Sequence, residues 1–351
     1  MLAPYFADKR HKMTNSALAA IHWALQHHVQ PAAANATTLF LRARASAELH
    51  EIPNLTCVQS FKPWADELSA AGFSSNPDLP SGQRFDRILL LPGRQRAETR
   101  ALLATAAGLL APDGQFVVAQ LNTEGARSLQ SDCEALFGAI RHESKHKSRI
   151  MWGAVNQLNA ALAREWLAGD QPTRVVDDEF VSRPGLFAWD RIDPGSALLA
   201  QHLPKNLRGT GADLGCGFGV LAKRLLERNP LVQGLDCFEA ERRALQLAEI
   251  NLQPFATQKT LNFHWHDVSQ GLARYDYDFV ISNPPFHTGR IDEPGLGTSF
   301  LNAAARGLKS GGRFILVANV HLPYEAVLEK QFQQVTPIAQ ALGFKVLEAR
   351  R

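Results

Sequence analysis

The segment Asp213–Gly219 reads D-L-G-C-G-F-G and lies between a strand-like run and a helical pattern. Glycines at alternate positions of a strand-to-helix turn permit left-handed backbone and let a ligand approach without meeting a Cβ. Such a segment demands a strand feeding a helix with a ligand at their junction, the unit of a doubly wound α/β sheet. The G-x-G-x-G spacing differs from the G-x-G-x-x-G of pyrophosphate-binding loops. Asp213, directly before the loop, would repel a pyrophosphate but suits the ammonium of an amino-acid moiety, directly or through water.

Strands and helices alternate around this segment. Ala212–Leu214 ends a strand, helix 219–229 follows, and Val232–Asp236 leads into helix 239–252. Leu261–His266 and Phe279–Asn283 are further strands; helix 299–308, a turn at Ser310–Gly312 and strand Arg313–Asn319 complete the set. Earlier in the chain, apolar residues at helical intervals (Leu18, Ile21, Leu25, Val29) predict a helix over 13–34. Short β-like runs follow at Thr38–Arg42 and Asn54–Gln59, then a loop over 74–83. Strand Phe85–Leu91, helix 95–111, a turn at Pro112–Gly114 and strand Gln115–Gln120 form a βαβ unit.

The two parts match internally. F-D-R-I-L-L-L-P at 85–92 aligns with Y-D-F-V-I-S-N-P at 277–284, and in both a helix, a Gly turn and a strand ending in Ala (Ala119, Ala318) come next. This predicts a duplicated domain: two tandem Rossmann-like units with doubly wound, mostly parallel sheets. The first copy lacks the glycine loop and carries Leu91 where the second has Asn283. It reads as a degenerate copy over 1–165, structural or RNA-holding, joined by a linker over 166–182 to a catalytic domain over 183–351.

The 351 residues are 45% hydrophobic and 20% charged, which excludes a fully disordered chain. No uncharged apolar stretch reaches the roughly 20 residues of a membrane helix. The opening M-L-A-P-Y-F-A-D-K-R-H-K places charges where a signal peptide would be apolar, so cytoplasm is expected. Cys57, Cys133, Cys216 and Cys237 form no C-x-x-C pair, and no metal is expected. The net charge of +3 is too small to carry polyanion binding by itself.

Three acids accompany the loop. Asp213 precedes it, Asp236 is expected to end the next strand and to accept the ribose hydroxyls, and Asp267 follows the third strand, within reach of an adenine amine. Ammonium, ribose and adenine together describe S-adenosyl-L-methionine. The fourth strand ends in I-S-N-P-P-F-H, Ile281–His287. Pro284 and Pro285 stiffen the turn. The side-chain carbonyl of Asn283 and the carbonyl of Pro284 can grip an NH2 group and aim its lone pair at a methyl donor. Phe286 can stack on a planar ring. These residues point to methylation of a planar amide or of a base's exocyclic amine. Proton loss follows transfer, so no strong base is required, and His287 reads as a loop hydrogen-bonder.

D-L-G-C-G-F-G with N-P-P-F resembles the class I S-adenosylmethionine-dependent methyltransferases of the "small" methyltransferase domain group. R-P-G-L-F-A-W-D-R-I-D-P-G-S at 183–196, N-P-P-F-H-T-G at 283–289 and V-A-N-V-H-L-P-Y at 317–324 narrow the resemblance to bacterial small-subunit ribosomal RNA methyltransferases. It is firm over 183–351 and looser over 1–182. It implies methylation of a guanine N2 amine in 16S rRNA, with the 30S subunit as partner. It further implies that Asp213, Gly215, Cys216 and Gly217 line the methionine side of the cofactor, Asp236 its ribose and Asp267 its adenine. Asn283 and Pro284 would hold the guanine amine, Phe286 would stack on the base, and Gly185 and Phe187 would close over the cofactor. The side chains of Cys216 and Cys237 read as small packing groups. Position 288 is Thr, where the family pattern suggests Asp or Gln.

Arg141, Lys145, Lys147 and Arg149 form the densest basic run and are the candidate phosphate contacts; a solvated loop is the alternative reading. Three alternative functions stay open: guanine-N2 methylation of 23S rRNA, methylation of a protein glutamine, and a non-catalytic rRNA-binding assembly factor. Asn-Pro-Pro followed by Phe rather than Tyr disfavours the protein target. A monomer is expected.

Overall fold

The computed structural model describes residues 16–29, 33–155, 157–285, 287–288, 291–292 and 294–351. The chain separates into two compact units, Met1–Gln171 and Pro172–Arg351.

The first unit opens with helix α1 over residues 16–27. Then follow β1 (Thr38–Leu41), β2 (Leu55–Val58), α2 (Lys62–Ala70), β3 (Ser75–Asn76), β4 (Phe85–Leu90), α3 (Arg96–Leu109), β5 (Leu110–Leu121), α4 (Ala126–Phe137), β6 (Arg141–Lys145), β7 (Ser148–Ala154) and α5 (Ala160–Ala168). Its sheet runs β3-β2-β1-β4-β5-β7-β6. β1, β2, β3, β4 and β5 pair in parallel, whereas β7 pairs antiparallel with β5 and β6. The apolar run of β4 is buried on both faces, as a central parallel strand must be. Residues of α3, α4 and α5 cover one face around Phe85, Ile88 and Phe116; residues of α1 and α2 cover the other around Phe40, Leu89 and Val117.

The second unit begins with the hairpin β8 (Thr173–Val175) and β9 (Phe180–Ser182), then α6 (Pro194–His202), β10 (Gly209–Leu214), α7 (Val220–Arg228), β11 (Val232–Glu239), α8 (Arg242–Leu252), β12 (Thr260–Trp265) and β13 (Tyr277–Ser282). The short hairpin β14 (His287–Thr288) and β15 (Ile291–Asp292) precedes α9 (Pro294–Gly307), β16 (Leu308–Asn319), α10 (Tyr324–Leu328), β17 (Gln334–Ala341) and β18 (Phe344–Arg350). Its sheet, β12-β11-β10-β13-β16-β18-β17, repeats the order of the first unit strand for strand.

The duplication extends to individual bonds. Leu41 and Leu90 pair in the first sheet where Leu214 and Ser282 pair in the second. On that alignment Thr37 matches Thr210 and Asp86 matches Asp278. The Thr37 amide donates to Asp86 and the Thr210 amide to Asp278, each at 2.8 Å. The acid shared by F-D-R and Y-D-F thus ties the start of one central strand to its neighbour. Both units share an equivalent register shift: Phe85–Leu110 gives way to Arg87–Gln115, and Tyr277–Leu308 to Phe279–Arg313.

Three expectations change. The turns at 112–114 and 310–312 lie inside β5 and β16 at these register shifts, because pairing resumes on both sides of them. The loop over 74–83 contains the two-residue edge strand β3. Residues 166–182, expected as a linker, carry regular structure on both sides of the 171/172 divide. Trp166 is buried in the first unit's core, and Phe180 is buried with Leu186 and Phe218 in the second. Of the first helix expected over 13–34, residues 16–27 are helical, 28–29 and 33–34 are not, and 13–15 and 30–32 lie outside the described residues.

Gly211, at the centre of β10, faces the ring of Phe279, which occupies the space of any Cβ there. Gly211→Ala should therefore cost about 1–3 kcal/mol by overpacking. Thermal unfolding of the second unit checks this, with a lower midpoint expected and an unchanged midpoint contradicting it.

Candidate active site

β10 leaves the sheet at Leu214, and the chain turns through left-handed backbone at Gly215, Gly217 and Gly219, with φ of 74°, 57° and 94°. α7 begins at the next residue. The amides of Gly215 and Cys216 donate to the carbonyl of Phe238 at 2.9 and 3.0 Å, so the turn is anchored to β11. A Cβ at Gly217 would meet no protein atom within 4 Å. It would project into open space, as a loop shaped to receive a ligand requires. An open cavity lies here, lined by Gly215, Gly217, Phe187, Asp193, Ser196 and Asn283 among others.

The acids are placed differently from expectation. β11 does not end at Asp236 but runs on to Glu239. Asp236 therefore lies three residues, or about 10 Å, back from the carboxyl edge. Its carboxylate is buried and engaged: Tyr277 donates its hydroxyl at 2.5 Å and Asn262 its amide at 2.7 Å. Glu239 holds the strand end instead, accepting the Gly217 amide at 2.8 Å and the Glu241 amide at 2.9 Å. Each of its oxygens retains a lone pair for a further donor. Burial raises its carboxyl above the usual range. The missed signal was register: Phe238 pairs with Leu214, which sets Glu239 level with the glycine loop.

Asp267 follows β12 and caps a short 3-10 turn, accepting the Ser269 amide at 2.9 Å. The Cys216 thiol sits well above its ordinary pKa through its contact with Cys237 and its burial, which suits packing and not nucleophilic chemistry. Phe187 lines the cavity and is 71% exposed, and Gly185 two residues earlier has φ 92°.

Asn283 leaves β13 into the same cavity. Its side-chain Nδ2 donates to Asp193 at 3.0 Å and to Ser196 at 2.9 Å. Asp193 caps α6, accepting the Ser196 amide at 2.9 Å with the same oxygen, Oδ2. Neither residue was singled out from sequence, although D-P-G-S is a helix-start pattern with an N-cap acid and Pro at the first position. Pro284 is buried. Phe286 lies outside the described residues, and so does the side chain of His287.

The first unit fills the equivalent place with its own side chains. Arg42 stands where Gly215 does and shares its left-handed backbone, φ 54°. It forms an ion pair with Glu98 at 2.6 Å, and the guanidinium of Arg44 sits 4.3 Å from the Trp64 ring. Gln59, at the position of Glu239, donates to the Ala43 carbonyl at 2.7 Å. Leu91 replaces Asn283. The basic run 141–149 is a β-hairpin, not a loop, with His146 and Lys147 in left-handed backbone at its turn. Its exposed, charged β6 is a sheet edge that discourages further strand pairing. Lys145 lies on the face of Trp23, 5.3 Å from its ring, whereas Arg149 is on the opposite face, bonded to Gln130. Arg141, Lys145, Lys147 and Arg149 therefore do not form one patch. Among the described residues, no three His, Cys, Asp or Glu side chains are grouped to hold a metal. No described helix is long and apolar enough to cross a membrane.

Asp213 is fully buried behind the glycine loop, outside the cavity lining, with the Ala222 amide directed at its carboxyl. Burial, reinforced by nearby Glu239, pushes its carboxyl up to about 8. An open glycine cradle beside a strand-end carboxylate that accepts the Gly217 amide fits a nucleoside cofactor such as S-adenosylmethionine. The raised acid also has a stability consequence. Unfolded, it titrates near about 3.9. Its contribution is intact below that pH and is lost as pH rises towards about 8, because the unfolded chain ionises first. Chemical denaturation across this window should show Asp213→Asn gaining on the wild type as pH rises. Parallel profiles would contradict the assignment.

A family model of the methyltransferase small domain matches residues 177–348. Ribosomal RNA small subunit methyltransferase C of Shewanella pealeana is 32% identical over 276 residues, 76% of this chain and 78% of that protein. The protein of the same name from Psychromonas ingrahamii is 29% identical, with 80% of each chain covered. In fold, the chain resembles the T. thermophilus 16S rRNA methyltransferase acting on N2 of guanine 1207, solved with AdoMet and guanosine. The TM-score is 0.76 at 24% identity, covering 95% of this chain and 92% of that one. The chain belongs to the ribosomal RNA small subunit methyltransferase C family.

Proposed function

We propose that this chain transfers a methyl group from S-adenosylmethionine to the exocyclic N2 amine of a guanine in 16S rRNA, acting as a cytoplasmic monomer on the 30S subunit. The reading rests on one observation above all: the Asn283 amide and the open glycine loop face the same cavity. S-adenosylmethionine supplies an electrophilic methyl on a sulfonium. Gly215, Cys216 and Gly217 form the cradle for its methionine part, with Asp213 behind them. Glu239, in place of Asp236, accepts the ribose hydroxyls, and Asp267 faces the adenine side. Phe187 covers the cavity mouth.

Asn283 Oδ1 and the carbonyl of Pro284 accept the two N–H bonds of the guanine amine, and Phe286 stacks on the extruded base. That amine is a poor nucleophile because its lone pair is delocalised into the ring. Holding both N–H bonds favours a pyramidal nitrogen aligned with the methyl, and positioning of this kind lowers barriers by several kcal/mol. The proton leaves after transfer. The first unit, its own crevice filled by the Arg42–Glu98 pair, serves a structural or RNA-holding role.

Methyl transfer from labelled S-adenosylmethionine to 30S subunits, 50S subunits and a protein extract, each from cells lacking the gene, tests the target. Label in 30S rRNA alone, recovered as N2-methylguanosine, is expected; label only in 50S or in protein would overturn it. Asn283→Ala should abolish transfer while leaving cofactor binding by calorimetry intact. Glu239→Ala should weaken cofactor binding tenfold or more, about 1.4 kcal/mol. Asp236→Asn should act on thermal stability through Tyr277. The reverse pattern would restore Asp236 as the ribose acid.

A further inference from the structure

The bonds around Asn283 specify which end of its amide faces the cavity. We propose that Asp193 and Ser196 are positioning residues that hold the Asn283 carbonyl towards the substrate amine, and that Asp193 requires an amide and not a carboxylate at position 283. The inference deepens the methyltransferase reading and rests on it.

A primary amide has one donor end and one acceptor end. Which end points where is ordinarily ambiguous, because the two are nearly isosteric. Here the chemistry removes the ambiguity. The Asp193 carboxylate, 3.0 Å from the amide, can only accept, so the NH2 end must face it. The Ser196 hydroxyl accepts the second N–H at 2.9 Å. With both N–H groups engaged on α6, Oδ1 is the atom left for a ligand in the cavity. The device is rigid, because Asp193 is itself fixed by capping α6 through the Ser196 amide. Pro194 at the first helical position presets the backbone for the start of α6.

The arrangement also explains the residue type at 283. A carboxylate there would place two like charges about 3 Å apart, and such a pair resists double ionisation. Arg191 and Asp193 are the charged residues lining the cavity. Arg191 is bonded to Asp190 at 2.8 Å.

Four measurements test the proposal on the full chain. First, the wild type is assayed on 30S subunits; absence of transfer would remove the underlying methyltransferase reading, separately from the roles of Asp193 and Ser196. Second, Asp193→Ala should lower kcat about tenfold or more while KM for subunits and the cofactor Kd stay within about twofold, since mispositioning acts on the reacting geometry. Asp193→Asn, which keeps an acceptor oxygen, should recover most of kcat. Third, Asn283→Asp should be active only as pH falls, when the paired acids share a proton, and adding Asp193→Asn should abolish that pH dependence. Fourth, in protein labelled with 15N-asparagine, the side-chain resonances absent from Asn283→Ala should exchange slowly in the wild type and rapidly in Asp193→Ala. This last readout needs no activity.

Loss of cofactor binding with unchanged kcat in Asp193→Ala would make Asp193 a cofactor contact and overturn the proposal. Identical pH profiles for Asn283→Asp with and without Asp193→Asn would overturn it too. If Asp193→Ala fails to fold, Ser196→Ala with rescue by Ser196→Thr and the Asn283→Asp pair carry the same decision.

Discussion

The turn from β10 into α7 passes through left-handed backbone at Gly215, Gly217 and Gly219, and two of its amides are tied to the carbonyl of Phe238. Those bonds fix the loop against its neighbouring strand. They hold the loop against β11, so the acid one residue beyond Phe238 reaches the Gly217 amide. Pairing of β10 with β13 brings the loop level with the end of β13, because Leu214 pairs with Ser282 and Asn283 is the next residue. The cavity exists because these three strand ends are in register at the carboxyl edge, where doubly wound sheets bind ligands.

The first unit shows what the same backbone does without glycine. Arg42 takes the left-handed conformation of Gly215, and the Ala43 amide donates to Val58 as Cys216 does to Phe238. A large side chain now starts from the loop, and it folds across the crevice to Glu98. The frame, including the paired Thr–Asp bonds at the strand starts, is retained. The two copies differ where a ligand would sit and agree where the sheet needs support.

Much of this was legible in the sequence. The glycine loop, the N-P-P turn and the alternating pattern announced the second unit, and the F-D/Y-D match announced the first. These signals are local: they depend on backbone conformation and on burial of contiguous runs. The end of β11 was placed three residues early because strand ends are set by pairing between strands, and Asp236 and Glu239 are equivalent until the register with β10 is known. Asp193 and Ser196 were missed for a related reason, since their partner Asn283 lies some ninety residues away. The hairpin β6–β7 escaped because its charged residues carry no apolar alternation; only pairing with Ile150 and Trp152 makes it a strand.

On the proposed function, delivery of a guanine amine for methylation turns on Asn283, held open towards the cavity. Nucleoside analysis of 16S rRNA from cells lacking the gene tests this in the setting where the protein acts. Loss of one N2-methylguanosine is expected, restored by the wild-type gene and not by one encoding Asn283→Ala. An unchanged N2-methylguanosine content in the deletion strain, or full restoration by the Asn283→Ala gene, would contradict it.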